Sequence, residues 1–152
     1  MPIEIERKFL VTGDDWRRLA RPGRRFCQGR IADGPNGKVR IRRAGDEAFI
    51  TFKGPRHGIA RAEFEYPIPV ADAEELLKRF CEKPLVEKTR HEVPCDGVVW
   101  EVDVYAGPEA LTLAEVELER ETERPPRPGW IGREVTTDPD YSNTAIARCL
   151  SR

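Results

Sequence analysis

Glu4-Ile5-Glu6-Arg7-Lys8-Phe9-Leu10-Val11 alternates ionised and apolar side chains along most of its length. Successive side chains of a strand point to opposite faces. Glu4, Glu6 and Lys8 therefore share one side, and Ile5 and Phe9, with Ile3 before them, share the other. A helix would scatter both sets around its circumference. The segment reads as a strand, charged on one face and apolar on the other.

Outward from it, short period-2 segments recur at 25–32, 38–43, 48–53, 60–68, 86–93, 98–105 and 111–119, which makes eight predicted strands. Turn residues separate them. Asp33-Gly34-Pro35-Asn36-Gly37 joins the second to the third, Ala44-Gly45-Asp46 links the third to the fourth as a hairpin, and Gly54-Pro55-Arg56-His57-Gly58 follows the fourth. Pro94-Cys95-Asp96-Gly97 turns the sixth into the seventh, and Gly107-Pro108 breaks the chain before the eighth. Three helices are expected. Residues 16–20 follow Thr12-Gly13-Asp14-Asp15, which offers a cap and first-turn acids. Residues 71–81 carry Leu76, Leu77, Phe80 and Cys81 as an apolar stripe. Residues 144–150 put Ile146, Cys149 and Leu150 on one face behind a Ser142 or Asn143 cap. Pro125, Pro126 and Pro128 make 124–129 a stiff link to Trp130.

The polar strand faces are almost fully ionised. The third shows Lys38, Arg40 and Arg42, the fourth Thr51 and Lys53, and the fifth Arg61, Glu63 and Glu65. The sixth shows Lys88 and Arg90, the seventh Glu101 and Asp103, and the eighth Glu115, Glu117 and Glu119. The opposite faces hold Val39 and Ile41, Ile50 and Phe52, Phe64, Trp100 and Val102, and Val116 and Leu118. An ordinary antiparallel sheet with one wet face also alternates, but its wet face mixes Thr, Ser and Gln with Lys. Here acids collect on the first, seventh and eighth strands and bases on the third and sixth. Eight antiparallel strands close into a barrel that can hold one small ligand. With the charged faces inward, a basic wall meets an acidic one, and the apolar faces point outward for helices to cover.

Such a lumen is costly, because each buried unpaired charge is penalised and neighbouring carboxylates repel. Clustered carboxylates suit Mg²⁺ or Mn²⁺. Clustered Arg and Lys suit a polyanion, and Arg binds phosphate in a bidentate fork. A metal-chelated chain of phosphates satisfies both walls, which points to metal-assisted phosphoryl transfer.

Composition narrows the alternatives. At 152 residues and 39% hydrophobic the chain is one domain with a real core. Its 35% charged content exceeds the usual figure of about 25%, yet 26 Lys and Arg against 27 Asp and Glu leave a net charge of −1. That balance argues against a nucleic-acid partner and against a polybasic membrane anchor. No apolar run approaches a membrane span, and the acidic start is not that of a signal peptide. Cys27, Cys81, Cys95 and Cys149 form no CxxC pair and are expected to be buried and reduced in a cytoplasmic protein. His57 and His91 are too few for a His-rich metal site.

The ordered motifs resemble the CYTH superfamily of triphosphate tunnel metalloenzymes, in its short bacterial form. Glu4-Ile5-Glu6-Arg7-Lys8 is similar to its ExExK signature. Gln28-Gly29, Val39-Arg40-Ile41-Arg42, Thr51-Phe52-Lys53-Gly54, Arg61-Ala62-Glu63-Phe64-Glu65, Lys88-Thr89-Arg90, Trp100-Glu101-Val102-Asp103-Val104 and Ala114-Glu115-Val116-Glu117-Leu118 follow in order. The ending Gly132-Arg133-Glu134-Val135-Thr136 and Tyr141-Ser142-Asn143 is also similar. The resemblance implies an α+β, mainly β fold: residues 1–152 as a single tunnel domain, an eight-stranded antiparallel β-barrel with helices packed on the outside. It places Glu4, Glu6, Glu115 and Glu117 at metal positions, for one or two Mg²⁺ or Mn²⁺ ions. It places Lys8, Arg40, Arg42, Lys53, Lys88 and Arg90 on phosphates, Glu63 and Glu65 as further inward acids, and Arg133 at the tunnel mouth. Arg30 departs from the Tyr that related proteins often carry after Gln-Gly.

The activity implied is hydrolysis of inorganic triphosphate to pyrophosphate and phosphate. Glu4, Glu6, Lys8, Glu115 and Glu117 form its catalytic set, and Glu115 is a candidate to position and deprotonate water. Adenylate cyclase, thiamine triphosphatase and a non-catalytic polyphosphate- or nucleotide-binding sensor are the alternatives. A homodimer is left open.

Overall fold

The computed structural model describes residues 2–107 and 110–150. Pro108 of the expected break and the side chain of Leu150 lie outside the described residues. The strands are β1 (Ile3–Val11), β2 (Arg24–Gly34), β3 (Gly37–Ala44), β4 (Glu47–Lys53), β5 (Ala60–Pro67), β6 (Val86–Cys95), β7 (Val98–Tyr105), β8 (Leu111–Glu117) and β9 (Ile131–Glu134). The helices are α1 (Val70–Arg79) and α2 (Asn143–Leu150). The expected strands are all present, with ends shifted by a few residues. The first expected helix is instead a 3-10 turn, Asp15–Arg18, and the Asp14 side chain does not cap it.

The sheet order is β5-β4-β3-β2-β6-β7-β8-β1, every pair antiparallel, and β1 pairs with β5 to close the barrel. β1 is shared between neighbours. It pairs with β8 over Glu6 to Leu10, with β5 over Ile3 to Ile5, and then with β9 through Phe9 opposite Glu134 and Val11 opposite Ile131. β9 occupies the edge of β1 that β5 leaves open. A four-residue strand containing Gly132 has no alternation to read, so the sequence shows only the proline link and a tail. Asp96 and Gly97, both with positive φ, make the two-residue β6–β7 turn.

The charged faces point inward and most apolar faces are covered from outside. One outer cluster buries Phe9, Trp16, Val93, Trp100, Val102, Val116 and Trp130. Trp100 meets Phe9 and Trp130 edge-on, with centroids 5.5 and 5.9 Å apart, a geometry that adds about 0.5–1.5 kcal/mol per pair to the area buried. The three tryptophans, Trp16, Trp100 and Trp130, are packing residues.

α1 covers a second patch. Its first-turn Asp72 and last-turn Lys78 and Arg79 complement the helix dipole. Ala73 and Leu77 bury against Ile41 and Ala48, while Phe80 leaves the expected stripe and is 57% exposed.

α2 departs from the expected arrangement. Its Ile146 and Ala147, not Ile146 and Cys149, are the buried pair, and they pack on Val86, Tyr105 and Leu113, with Leu10 and Leu111 alongside. These strand residues share the inward face with Lys88, Asp103, Glu115 and Lys8. α2 therefore stoppers one end of the lumen instead of lying on the outer wall. Cys149 is exposed, Cys27 and Cys95 are half-buried, and only Cys81 is buried as expected, with all four thiols free.

Candidate functional site: a charged lumen

Strand alternation and barrel closure bring the inner faces together, and the ladders set which charges meet. Across β1 and β8, Glu6 is opposite Glu117 and Lys8 is opposite Glu115. Across β6 and β7, Arg90 is opposite Asp103 and Glu92 opposite Glu101. A central compartment of about 190 Å³ is lined by Glu4, Glu6, Arg40, Arg42, Lys53, Glu63, Glu65, Lys88, Arg90, Glu101, Glu115, Glu117 and Asn143. Lys8 lines the adjoining space, which shares Glu6, Arg40, Lys53 and Asn143 with it. Every site residue expected from the sequence converges here except Arg133. Arg133, on β9, lines neither compartment; it is largely exposed, 3.4 Å from Asp138 and 5.9 Å from the centroid of the Tyr141 ring.

The deepest group is Asp103. Lys88 Nζ stands 2.7 Å from its Oδ2, and Arg90 grips it through Nε at 2.7 Å and Nη2 at 2.9 Å. Burial alone would raise the Asp103 pKa, but Lys88 and Arg90 outweigh it and hold it below the ordinary range. Lys88 is itself pulled down to about 7, by burial first, with Arg90 and Arg42 adding to the effect and Asp103 opposing it. Arg90 reaches on to Glu101 at 3.0 Å and Glu115 at 3.5 Å. Burial would likewise raise Glu115, yet Arg90, Lys8 and Lys88 bring it well below the carboxylate range. Lys8 Nζ lies 4.0 Å from Glu115 and donates to the Tyr141 carbonyl at 3.0 Å.

The acids of β1 are differently placed. Lys53 Nζ bridges Glu4 at 3.0 Å and Glu63 at 3.3 Å. Glu6 is pushed up to about 8, first by burial and then by the charges of Glu115 and Glu4. On the basic wall, Arg42 Nε donates to Gln28 at 2.9 Å and Thr51 donates to Glu65 at 2.9 Å. Arg40 Nη2 stands 3.8 Å from Glu65, and Arg40 Nε is buried with no hydrogen-bond partner among the described residues.

Gln28 and Phe26 were not singled out by the sequence as site residues. Phe26 sits on the inner face of β2 with the Arg42, Arg90, Lys88 and Arg24 cations 4.7 to 5.9 Å from its ring centroid. Its ring face is negative, which eases the crowding of cations around it. Its period-2 offset from Gln28 is the signal that could have placed it.

A hard divalent cation asks for a cage of oxygen donors. Glu4, Glu6, Glu115 and Glu117 offer only oxygen, as such ions require, and Glu6 has no cation strong enough to keep it ionised at neutral pH. Among the described residues no three acidic, imidazole or thiol groups already stand at ligand spacing. Glu4 is held by Lys53 instead. The residues fit the ion by chemistry, with Glu4 exchanging one cation for another.

Fold and lumen together define a class: a closed β-tunnel, apolar outside and ionised within, with acids and bases on opposed walls. The chain belongs to the CYTH domain family, which matches residues 2–148, and membership in these tunnel metalloenzymes implies a divalent metal. A protein of Acetivibrio thermocellus named an inorganic triphosphatase is 44% identical over 149 residues, which is 97% of this chain and 95% of its own. One of Nitrosomonas europaea with the same name is 40% identical over 151 residues, 95% of this chain and 96% of its own. A crystal structure of an inorganic triphosphatase superposes with a TM-score of 0.63 at 35% identity, covering 97% of this chain and 95% of the other. Among the described residues no helix is long and apolar enough to cross a membrane.

Proposed function

We propose that this chain is a metal-dependent inorganic triphosphatase that converts tripolyphosphate and water to pyrophosphate and phosphate. The observation that carries the reading is the opposition inside one lumen of an acidic β1–β8 wall to a basic β3–β6 wall. Relatives over nearly the whole length carry that activity in their names.

Glu4, Glu6 and Glu117 would hold the ion, Mg²⁺ or Mn²⁺, with Glu115 beside them. When bound, a divalent cation offsets negative charge on phosphate oxygens and lowers the pKa of a coordinated water. The remaining work falls to side chains. Arg40, Arg42, Lys88 and Arg90 bind phosphate oxygens from the basic wall, and Lys8 and Lys53 do so from β1 and β4. Asp103 is a positioning residue that fixes Lys88 and Arg90. Glu63 and Glu65 orient Lys53 and Arg40. Glu115, paired with Arg90 and Lys8, is placed to orient those cations and the attacking water. That suffices, because phosphoryl transfer passes through a loose transition state that demands placement and charge stabilisation more than a strong base.

The test is product analysis with tripolyphosphate, ATP and thiamine triphosphate, each with Mg²⁺ or Mn²⁺. Equal amounts of pyrophosphate and phosphate from tripolyphosphate, lost in Glu4→Gln and Glu117→Gln proteins that still melt cooperatively, are expected. Cyclic AMP from ATP, or tight binding without phosphate release, would overturn the reading.

A further inference from the structure

Phe26, Lys88 and Tyr105 form one cross-strand row on the inner face of β2, β6 and β7. Phe26 is opposite Lys88 in the first ladder, and Lys88 is opposite Tyr105 in the second. All three are buried. The Lys88 ammonium stands 5.3 Å from the centroid of the Tyr105 ring and 5.9 Å from that of the Phe26 ring. Arg42 and Arg90 approach the Phe26 ring as well, at 4.7 and 5.1 Å. Among the described residues the one hydrogen-bond acceptor of Lys88 is Asp103, although an ammonium carries three donors. The Tyr105 hydroxyl is buried and has no hydrogen-bond partner among them. No bond of that hydroxyl reaches Lys88, so the ring is what Tyr105 presents to the ammonium.

We infer that Phe26 and Tyr105 are positioning residues for the reaction: their rings flank Lys88 and hold its ammonium, still charged, where it meets a phosphate oxygen. The inference rests on the triphosphatase reading, which places Lys88 on the substrate. Lys88 needs such support. Burial favours its neutral form, Asp103 on β7 opposes that, Arg90 on β6 and Arg42 on β3 add to it, and Glu115 on β8 opposes it again, which leaves the Lys88 pKa at about 7.

A further carboxylate would supply the missing attraction only by occupying the donors that the substrate has to use. The face of an aromatic ring carries partial negative charge and attracts a cation most strongly where water is excluded. It leaves the N–H groups free. The two rings therefore favour the charged amine and spare its donors for phosphate, and Phe26 offers the same support to Arg42 and Arg90.

The test measures kcat and KM for tripolyphosphate across neutral pH in the wild type, F26L, Y105L, Y105F, K88M and K88M/Y105L. Leucine fills space without a π face. F26L and Y105L should each raise KM about fivefold to tenfold, with kcat changed by less than about threefold. Ring removal favours the neutral amine, so KM should begin to climb at a pH lower by about half a unit to one unit. Y105F keeps the ring and should recover the wild-type KM within about twofold. Where K88M has removed the cation, adding Y105L should change KM by less than about twofold. Equal losses in Y105F and Y105L would assign the effect to the hydroxyl. A Y105L loss of the same size with and without Lys88 would assign it to packing. Either result overturns the inference, as does a wild-type KM in both leucine variants. If Y105L does not melt cooperatively, NMR of the wild type decides through the Lys88 ε-methylene protons, assigned by their loss in K88M. An upfield ring-current shift supports the flanking rings, and positions like those of surface lysines overturn them. If the wild type hydrolyses no triphosphate, the activity reading falls by itself, and calorimetric Kd values for tripolyphosphate carry the same comparison.

Discussion

Glu6 and Glu117 are cross-strand partners in the β1–β8 ladder, so two carboxylates enter the lumen at one level, one step from Lys8 opposite Glu115. Like charges in directly opposed positions destabilise a sheet. The Glu6 pKa is pushed from 4.5 to about 8, first by burial and then by the charges of Glu115 and Glu4. A carboxyl raised in this way keeps a proton in the folded state that the unfolded chain has already released. Folded protein then binds more protons than unfolded protein between those two values, and its stability falls as pH rises through that window.

The metal-free wild type should accordingly lose stability between about pH 6 and about pH 8, and Glu6→Gln, which cannot ionise, should lose less by on the order of 1–2 kcal/mol. Adding divalent cation should restore the wild type at the upper pH and leave the variant nearly unchanged. Urea titrations at the two pH values measure this. Parallel pH slopes in both proteins would show that Glu6 carries no uncompensated charge.

The Lys88–Asp103–Arg90 cluster separates structural from binding roles. Asp103 is fully buried between two cations, so Asp103→Asn takes from Lys88 its carboxylate partner and from Arg90 its two-pronged contact, leaving Arg90 to Glu101 and Glu115, and should cost about 3–5 kcal/mol in urea unfolding. Lys88→Met removes a cation whose pKa is already drawn to about 7 and leaves Asp103 its two-pronged contact with Arg90. It should cost less than about 1.5 kcal/mol while raising KM for tripolyphosphate. A larger stability loss for Lys88→Met than for Asp103→Asn would reverse this assignment.

The features legible in the sequence are those where charge marks the inner face. Glu4, Glu6 and Lys8, then Arg40 and Arg42, then Glu115 and Glu117, announce both the strand period and the lumen. Where the inner face turns apolar, the same reading fails. Leu10, Val86, Tyr105 and Leu113 continue the inward face beyond the charged ring and form the seat for α2, but apolar residues in a strand look as if they belong outside. Phe26 escaped notice for the same reason. β9 was illegible because it is short and exists only to pair an edge of β1 that barrel closure exposes.

Gly29 is required by close packing on the outer wall. A Cβ there would lie 2.7 Å from Leu85 Cδ2 and 2.8 Å from Cys81 Cβ, where β2 meets the segment after α1. Gly29→Ala must displace that segment and should cost about 1–3 kcal/mol. Since its added methyl points away from the lumen, KM for tripolyphosphate should hold at temperatures where the variant is folded. Differential scanning calorimetry with parallel kinetics checks both. A neutral Tm would mean that the connection to β6 yields freely.

The stopper helix links stability to substrate affinity. Ile146 is 2% exposed and fills the apolar end of the lumen, so Ile146→Ala should cost about 2–4 kcal/mol by leaving a cavity. The first turn of α2 and the residues before it also reach the charged region: the Tyr141 carbonyl accepts from Lys8 Nζ at 3.0 Å, Thr144 Oγ1 lies 3.4 Å from Lys38 Nζ, and Asn143 lines both compartments. A loosened α2 releases Lys8 and Lys38 from fixed positions, so KM for tripolyphosphate should rise in Ile146→Ala. Ile146→Val, at about 0.5–1.5 kcal/mol, should leave KM unchanged, and Cys149→Ser, at an exposed position of the same helix, should alter stability by less than about 0.5 kcal/mol. Unfolding free energies and KM for the three proteins test the coupling. An Ile146→Ala protein that is destabilised yet binds tripolyphosphate as the wild type does would confine α2 to a packing role.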